Sequence, residues 1–320
     1  MAQVGRIGVI ALASLVVVDV VLVSFAIQHV RSGNADPRTA PTPLPSISSP
    51  AVEPSRTASP KPTGSASPSA TAPATPAATG PVLIDIGSGD AVARATVGTC
   101  GDGGGSVQLS TDGGKTFSSA GLPDEAAVIL RIASSDSDNA WVVASSSDCS
   151  EATTYRTSNG GESWDDSQGS AGSWHKVGDP AAEVHAPEGT VDVPCADEAT
   201  VTGLSTLSQE LAYVLCSDGQ VLRSRDAGGS WRERGKAVGA LDLDFVDETS
   251  GLAAATGDSS CEGVAIMSTS DAGETWEQSA CVETTSTSPP DISAAGERAY
   301  LAVAGTVWYS TDTGETWERR

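Results

Sequence analysis

The chain has 320 residues, with 41 Asp and Glu against 18 Lys and Arg, and a formal net charge of −23 at pH 7. So acidic a surface repels phosphate backbones and anionic lipid headgroups, which excludes nucleic acid as a partner. The same charge favours cations, basic partners or simple solubility.

The first predicted element is an apolar stretch near the N-terminus. Residues 7–28 are largely apolar and contain one charged residue, Asp19. About 20 such residues span a bilayer, whereas the apolar part of a cleaved secretory signal has only about 7–15. We therefore predict an uncleaved transmembrane helix within residues 1–31, which would make the chain a single-pass protein of the cell membrane. Secretion after cleavage near Gly33-Asn34-Ala35 is the alternative.

Residues 32–80 form the second predicted region, a linker. They hold 11 of the 18 prolines, and Ser, Thr and Ala fill the gaps. Because few large apolar residues are present, this segment has no means of forming a core. Pro-rich chains are extended, at about 3.1 Å per residue. We predict a disordered spacer; O-glycosylation of its hydroxyl groups is an open alternative.

Residues 81–320 carry five copies of one pattern, Ser/Thr-x-Asp/Asn-x-Gly-x-Ser/Thr-aromatic. The copies cover 110–117, 157–164, 224–231, 269–276 and 310–317, and their acidic or amide positions are Asp112, Asn159, Asp226, Asp271 and Asp312. An Asp or Asn side chain accepts hydrogen bonds from nearby backbone N–H groups, and Gly supplies a positive φ. The aromatic residue packs back onto a sheet. We interpret each copy as a structural hairpin turn and not as a catalytic or metal-binding carboxylate.

The pattern resembles the Asp-box, or BNR repeat, found in sialidases, sortilin-type receptors and the photosystem II stability/assembly factor family. The resemblance covers about residues 81–320, and the copies start at intervals of 47, 67, 45 and 41 residues. One turn signal per period of this length is typical of a β-propeller. We predict an all-β propeller of five four-stranded blades. A degenerate sixth blade is the alternative, since the interval of 67 residues is long but too short for two full blades.

The long interval holds a predicted insertion at about residues 165–197. We expect it on the propeller face opposite the repeated turns, where loops on a rigid scaffold often carry function. The candidate binding face is made of Trp174, His175, His185, Asp242 and Asp244. The two histidines, with Glu183 and Asp179 nearby, match no known zinc-ligand spacing, so we predict neither a metal nor a cofactor.

First strands line the axis of a propeller, and several predicted first strands carry acids. These acids are Asp85, Asp242, Asp244 and Asp291, with Arg131 as their lone basic counterpart. We expect an acidic channel. One hypothesis is that it attracts a cation or a basic segment of a partner; the alternative is a solvent-filled channel whose charge only aids solubility.

All six cysteines lie within residues 81–320, at positions 100, 149, 195, 216, 261 and 281. An even count beside an export-type N-terminus favours three disulfides and an extracytoplasmic domain. In the predicted blade layout, Cys261 and Cys281 lie opposite each other across one hairpin, and Cys195 and Cys216 reach the same edge of one blade. Cys100 and Cys149 then remain, and their bond would join blades 1 and 2. Six free thiols in a cytoplasmic protein are the alternative.

Proteins with this repeat share blades and not chemistry, so two functions stay open. We predict a membrane-anchored, extracytoplasmic binding or assembly scaffold for an unknown protein or glycan ligand, with a monomeric ectodomain and no catalytic residues. The alternative is a sialidase-like glycoside hydrolase, which uses an arginine cluster, a Tyr–Glu pair and an acid/base Asp. The nearest match to its early Arg-Ile-Pro motif is Arg131-Ile132-Ala133, which follows the first repeat and lacks the proline.

Overall fold

A computed structural model describes residues 80–167, 173–178, 180–257 and 260–320. The predicted transmembrane segment with Asp19, the predicted linker up to residue 79, and Asp179 lie outside the described residues. By its internal contacts the chain divides into Met1–Ala70 and Thr71–Arg320, and every described residue belongs to the second unit. Within the described ranges, no helix has the length and hydropathy that a bilayer crossing requires.

The described residues are all-β, with strands β1 to β23 arranged in antiparallel sheets. Blade 1 consists of β1 (Val82–Ile86), β2 (Val92–Thr96), β3 (Ser106–Ser110) and β4 (Ser118–Ala120). Blade 2 consists of β5 (Val128–Ser134), β6 (Ala140–Ser145), β7 (Ala152–Thr157) and β8 (Asp165–Ser167). Next in the chain come β9 (His175–Gly178), β10 (Ala181–Ala186) and β11 (Gly189–Asp192), which we call the short blade.

Three further four-stranded blades complete the described fold. Blade 3 consists of β12 (Val201–Thr206), β13 (Ala212–Cys216), β14 (Gln220–Ser224) and β15 (Arg232–Lys236). Blade 4 consists of β16 (Ala240–Phe245), β17 (Gly251–Thr256), β18 (Gly263–Thr269) and β19 (Glu277–Glu283). Blade 5 consists of β20 (Asp291–Ala295), β21 (Arg298–Val303), β22 (Thr306–Ser310) and β23 (Glu318–Arg319).

The first strands of all six sheets form a closed ring. Going round the ring, β1 contacts β5, β5 contacts β9, and β9 contacts β12; β12 then contacts β16, β16 contacts β20, and β20 returns to β1. This radial arrangement of antiparallel sheets is that of a β-propeller. The all-β class is as the sequence predicts. The ring has six members, five of four strands and one short, so the alternative of a degenerate sixth blade is confirmed and the count of five blades is wrong.

The short blade corrects the expectation for residues 165–197. Instead of loops on one face, β8 completes blade 2 and β9 to β11 form an antiparallel sheet. This sheet joins blade 3 through a single bridge between Ala181 and Val201, and β9 takes a place in the inner ring between β5 and β12. The interval is too short for a second four-stranded blade, but three short strands suffice to fill the gap between blades 2 and 3.

Blades pack face to face, which explains the burial of their second strands. All five residues of β13 are buried because a neighbouring sheet covers each of its faces. Tyr213 stacks on Phe245 of blade 4 with ring centroids 3.7 Å apart. Its hydroxyl donates a hydrogen bond to the carbonyl of Glu248 at 2.7 Å. Large aromatic surface is thus buried between blades with its polar atom satisfied.

The five repeated turns share one hydrogen-bond pattern, illustrated by Asp271. Its Oδ1 accepts a hydrogen bond from Thr275 N at 2.9 Å, and its Oδ2 accepts one from Thr275 Oγ1 at 2.6 Å. Thr269 Oγ1 donates to the same carboxylate and accepts from Gly273 N at 3.0 Å. Gly273 has φ +82° and lies against Val221 of blade 3, so the turn of one blade fastens onto the blade before it.

The repeated turns and the disulfides lie at opposite ends of the ring. Each turn bonds to the hairpin between the first and second strands of its own blade, as Ala272 N does to Thr249 O at 2.8 Å; we call this end the turn face. The three disulfides are Cys100–Cys149, Cys195–Cys216 and Cys261–Cys281, with Cα separations of 5.6, 5.7 and 5.6 Å. They lie at the other ends of the strands, which we call the disulfide face. The predicted presence of three disulfides is confirmed, with the predicted pairs.

Candidate functional site

The inner strands enclose a central pocket of about 420 Å³. Its charged lining comes from every inner strand except that of blade 3 and comprises Asp85, Arg131, Lys176, Asp242, Asp244 and Asp291. Successive side chains of a strand point to opposite faces, so Asp242 and Asp244, two residues apart, both face the axis. The four acids of the predicted channel therefore meet at one place.

Each of these carboxylates binds the backbone of the next inner strand. Asp242 Oδ2 accepts a hydrogen bond from Ile292 N at 2.9 Å, and Asp244 Oδ2 accepts one from Ala294 N at 2.8 Å. These two bonds join blade 4 to blade 5. A hydrogen bond between a carboxylate and a backbone N–H is stronger than a neutral one, which suits it to hold neighbouring strands in register.

Hydrogen bonds of the same kind, from a backbone N–H to a carboxylate, join blade 5 to blade 1 and blade 1 to blade 2. Asp291 Oδ1 accepts a hydrogen bond from Ile84 N of blade 1 at 2.6 Å, and Asp85 Oδ2 accepts one from Ser134 N of blade 2 at 2.7 Å. Inner strands carry no ladder hydrogen bonds on their axial side, so these carboxylates satisfy N–H groups that face the pocket.

Basic and hydroxyl side chains complete the circle through the short blade and blade 3. Arg131 donates to the carbonyl of Trp174 at 2.8 Å and to Thr206 Oγ1. Lys176 donates to the carbonyl of Thr202 at 2.6 Å, and Ser205 Oγ donates to Asp244 Oδ1 at 2.6 Å. A continuous series of side-chain hydrogen bonds therefore links all six inner strands.

Burial shifts the acid–base behaviour of the pocket. Desolvation raises the pKa of Asp85 to about 7 against the opposing effect of the Ser134 N–H, and it raises the pKa of Asp242 to about 7 against the opposing effect of Lys176. The pKa values of Asp244 and Asp291 are raised for the same reason. Part of the acidic cluster is therefore protonated near neutral pH, which limits the repulsion among four close carboxyl groups.

The predicted binding-face residues lie at three depths. His175, Asp242 and Asp244 line the pocket. His185 stacks behind His175 with ring centroids 4.7 Å apart and an interplanar angle of 13°. Trp174 is a core residue, 3 % exposed, which packs edge-on against Trp231. The structure therefore places His175 in the same pocket as the two aspartates, with His185 behind it. The Trp174 ring is buried in the core and is not part of the surface.

His175 sits in a setting that disfavours its charged form. Its ring is buried, and its pKa is lowered to about 3, first by desolvation and then by His185 and Arg131. His175 is therefore neutral across the physiological range. Among the described residues, no group of three or more His, Cys, Asp or Glu side chains is placed to hold a metal ion.

Lys176 is a pocket residue that the sequence reasoning missed. Arg131 is therefore not the lone basic counterpart of the acids. The available signal was the run from His175 to Asp192, in which short alternating apolar segments are separated by Gly and Pro. Such segments are typical of strands. Recognising them would have placed β9 in the inner ring.

Comparisons with known proteins give similarity of fold. No protein-family model and no curated protein matches the chain. YCF48 from Cyanidioschyzon merolae is 15 % identical over 72 % of this chain and 77 % of its own, with a TM-score of 0.41. A structure of YCF48 bound to D1 peptide is 15 % identical over 76 % and 81 %, with a TM-score of 0.41. Aleuria aurantia lectin AAL in complex with Fucα1-6GlcNAc is 9 % identical over 76 % and 94 %, with a TM-score of 0.49. None of these similarities assigns a function.

Proposed function

We propose that the chain is a membrane-anchored, extracytoplasmic propeller that acts as a binding or assembly scaffold for a protein or glycan partner. The observation that carries this proposal is the closed series of hydrogen bonds around the pocket, in which Asp85, Asp242, Asp244 and Asp291 bind backbone N–H groups. Together with Arg131, Lys176 and Ser205, these carboxylates link all six inner strands, and a scaffold held in this way suits a presenting surface.

The central pocket is the proposed contact site. Four carboxyl groups share it with two basic side chains, Arg131 and Lys176. Burial keeps part of this cluster protonated near neutral pH, but the carboxyl oxygens still outnumber the two cations, and as acceptors they suit an ammonium or guanidinium group of a partner segment. A volume of about 420 Å³ is within the range of small-molecule and side-chain pockets.

Three disulfides support an oxidising compartment for the described domain, since such bonds rarely persist in the cytosol. The proposed membrane anchor rests on the apolar residues 7–28. Alkylation of the full chain from its native host, followed by peptide mapping without reduction, tests the compartment. We expect the three disulfide-linked peptides, whereas six alkylated cysteines would refute the placement.

A pull-down from the native membrane fraction tests the scaffold. The baits are the full chain, the Asp242→Asn/Asp244→Asn variant, and a control with the same charge change on exposed β8 residues, Asp165→Asn/Asp166→Asn. We expect one enriched partner with the wild type and the control. The pocket variant and high salt should both reduce its recovery strongly, because screening weakens charge pairing.

Equal recovery by the pocket variant and the wild type would refute the pocket as the contact site. Hydrolysis of a chromogenic aryl sialoside by the full chain would instead favour the glycoside hydrolase alternative. A sialidase uses a Tyr–Glu pair and an acid/base Asp, so the activity would be lost in the pocket variant if Asp242 or Asp244 supplied the acid/base group.

A further inference from the structure

We propose that the central pocket binds a linear aliphatic diamine, with one ammonium group at each of two carboxyl pairs. We call Asp242 with Asp291 the lower pair and Asp244 with Asp85 the upper pair; all four line the pocket. The inference rests on the proposed function, which makes the pocket a site for a cationic group, and it specifies the class of cation that the pocket takes.

Acids from three inner strands make up the two pairs. Asp242 accepts a hydrogen bond from the N–H of Ile292, the residue after Asp291, at 2.9 Å. After desolvation, the charge of Asp242 is the main cause that raises the pKa of Asp291. In the upper pair, the charge of Asp244 adds to desolvation in raising the pKa of Asp85. Carboxylates this close repel each other, and a cation held between them removes the repulsion.

Strand geometry sets the distance between the two pairs. Asp242 and Asp244 are two residues apart in β16, and their N–H partners Ile292 and Ala294 are two residues apart in β20. Two residues of a strand span about 6.7 Å, over a path of six covalent bonds. The nitrogens of 1,5-diaminopentane are also joined by six bonds, so its extended chain brings one ammonium group to each pair.

The carboxyl groups lack a direct cationic partner. No ion pair found among the described residues includes a residue that lines the pocket. The two bases of the pocket donate elsewhere, Arg131 to Trp174 O and Thr206 Oγ1, and Lys176 to Thr202 O. With all four acids ionised, the lining carries four negative charges and two positive ones. A diamine supplies the two positive charges that would balance them, and buried charges are stable only when they are paired.

The rest of the lining suits the aliphatic part of the ligand. Leu83, Leu130 and Leu204 come from three inner strands and are partly buried, so they offer contacts to methylene groups. Asp242 accepts its backbone hydrogen bond at Oδ2 and Asp291 at Oδ1, which leaves the second oxygen of each for an ammonium group. The volume of about 420 Å³ is ample for a five-carbon diamine.

Other cations fit this arrangement less well. Ca²⁺ and Mg²⁺ bind oxygens at about 2.0–2.6 Å, so one such ion neutralises one pair but does not reach both. A monoamine likewise leaves one pair without a cation, and a diamine with a shorter chain does not span the distance. The property that distinguishes the proposed ligand is therefore the separation of its two positive charges.

Isothermal titration calorimetry on the full chain, near pH 8 and at low salt, tests this with 1,5-diaminopentane. Pentylamine, which lacks one charge, and 1,3-diaminopropane, which lacks two carbons, are the matched controls. We expect 1,5-diaminopentane to bind at least about tenfold more tightly than either, since each control loses one charge-paired contact. Absence of binding, or equal affinity for all three amines, would overturn the proposal. This series uses the wild type, so it does not depend on the folding of any variant.

Variants then locate the ligand. Asp291→Asn removes a charge from the lower pair and Asp244→Asn removes one from the upper pair. Each should weaken 1,5-diaminopentane binding by about tenfold, whereas Asp165→Asn on exposed β8 should bind like the wild type. Thermal melting of each variant checks that it is folded. Equal binding by folded pocket variants and the wild type would place the ligand elsewhere and overturn the proposal.

The affinity should also depend on pH. Burial raises the pKa values of Asp85 and Asp242 to about 7, and the ligand needs these groups ionised, so binding should strengthen by about tenfold between pH 6 and pH 8. Arg131 and Lys176 face the same acids, and His175 stays neutral over this range. The same affinity at both pH values would contradict a site among these acids.

The outcome is separable from that of the proposed partner contact. Diamine binding that leaves partner recovery in the pull-down unchanged would support this inference and refute the pocket as the contact site. Failure of every amine to bind, with partner recovery still lost in Asp242→Asn/Asp244→Asn, would overturn this inference and leave the proposed function standing.

Discussion

Asp242 accepts a hydrogen bond from the backbone N–H of Ile292 at 2.9 Å, so a side chain of blade 4 holds the inner strand of blade 5. Asp242→Ala leaves that N–H without its acceptor and should lower the free energy of unfolding by about 1–3 kcal/mol. Asp242→Asn keeps an acceptor oxygen and removes the charge, so it should retain stability near pH 8. Urea denaturation of the full chain distinguishes the two. Equal loss in both variants would contradict this role.

The raised pKa of Asp85 makes stability depend on pH. Burial moves this pKa from 3.8 to about 7. Between about pH 4 and pH 7 the folded chain therefore holds a proton that the unfolded chain has released, so stability falls as the pH rises through this window. We expect a higher Tm near pH 5 than near pH 8, and a smaller difference in Asp85→Asn. An unchanged difference in the variant would show that Asp85 is not responsible.

His175 should act in the opposite direction. Its pKa is lowered from 6.5 to about 3, so below about pH 6.5 the unfolded chain binds a proton that the folded chain does not. Stability is then lost as the pH falls toward about 3. His175→Gln removes this titration, so the Tm of the variant should rise relative to that of the wild type as the pH falls from about 6 to about 4. A Tm difference between the two that does not change with pH would be contrary to this assignment.

Gly235 marks a close approach between blades 3 and 4. A Cβ atom at this position would lie 2.4 Å from Glu274 O and 2.5 Å from Gly273 O, both backbone atoms of a repeated turn. Gly235→Ala should therefore destabilise the full chain by about 1–3 kcal/mol, as overpacking does. Gly121→Ala, where a Cβ would meet no atom within 4 Å, is the control and should be near neutral. Chemical denaturation of both variants measures the difference.

The repeated turns offer a paired comparison. Asp271→Ala removes the acceptor of the Thr275 N–H and hydroxyl bonds and should lower Tm by about 2–4 °C. Asn159 occupies the same position in blade 2 and bonds to Ser163 through both Oδ1 and Nδ2. Asn159→Asp should preserve Tm, since a carboxylate can accept both bonds once the Ser163 hydroxyl turns to donate. Loss of partner recovery at unchanged Tm in Asp271→Ala would instead assign the turn a binding role.

Much of the fold follows from local patterns. Each turn around Asp112, Asn159, Asp226, Asp271 and Asp312 is specified within eight residues, because the hydrogen bonds that close it join near neighbours in the chain. Counting the turns therefore counts the four-stranded blades. Two cysteine pairs, Cys195–Cys216 and Cys261–Cys281, follow as well, because the geometry of one blade decides which of its strand ends lie side by side. Cys100–Cys149 joins two blades and followed only by elimination.

The sequence predicts the orientation of the pocket acids but not their hydrogen-bond partners. Alternation along the first strands predicts that Asp242 and Asp244 face the axis, and they do. Their partners, Ile292 and Ala294, lie 50 residues further along the chain. No local sequence pattern predicts which backbone N–H group, 50 residues away, each carboxylate binds. The same holds for Asp291 and Ile84, which are 207 residues apart and meet where the last blade closes onto the first.

The sequence alone determined the all-β class, the repeated turns, the acidic inner strands and the two disulfides within single blades, because each depends on chain-local geometry and residue chemistry. The tertiary structure decided that β9 to β11 form a sheet in the ring, that Lys176 joins the pocket, and which backbone N–H each pocket carboxylate binds. These features depend on closing the ring. The angular space that five four-stranded blades leave unfilled is a property of the whole circle and of no single segment.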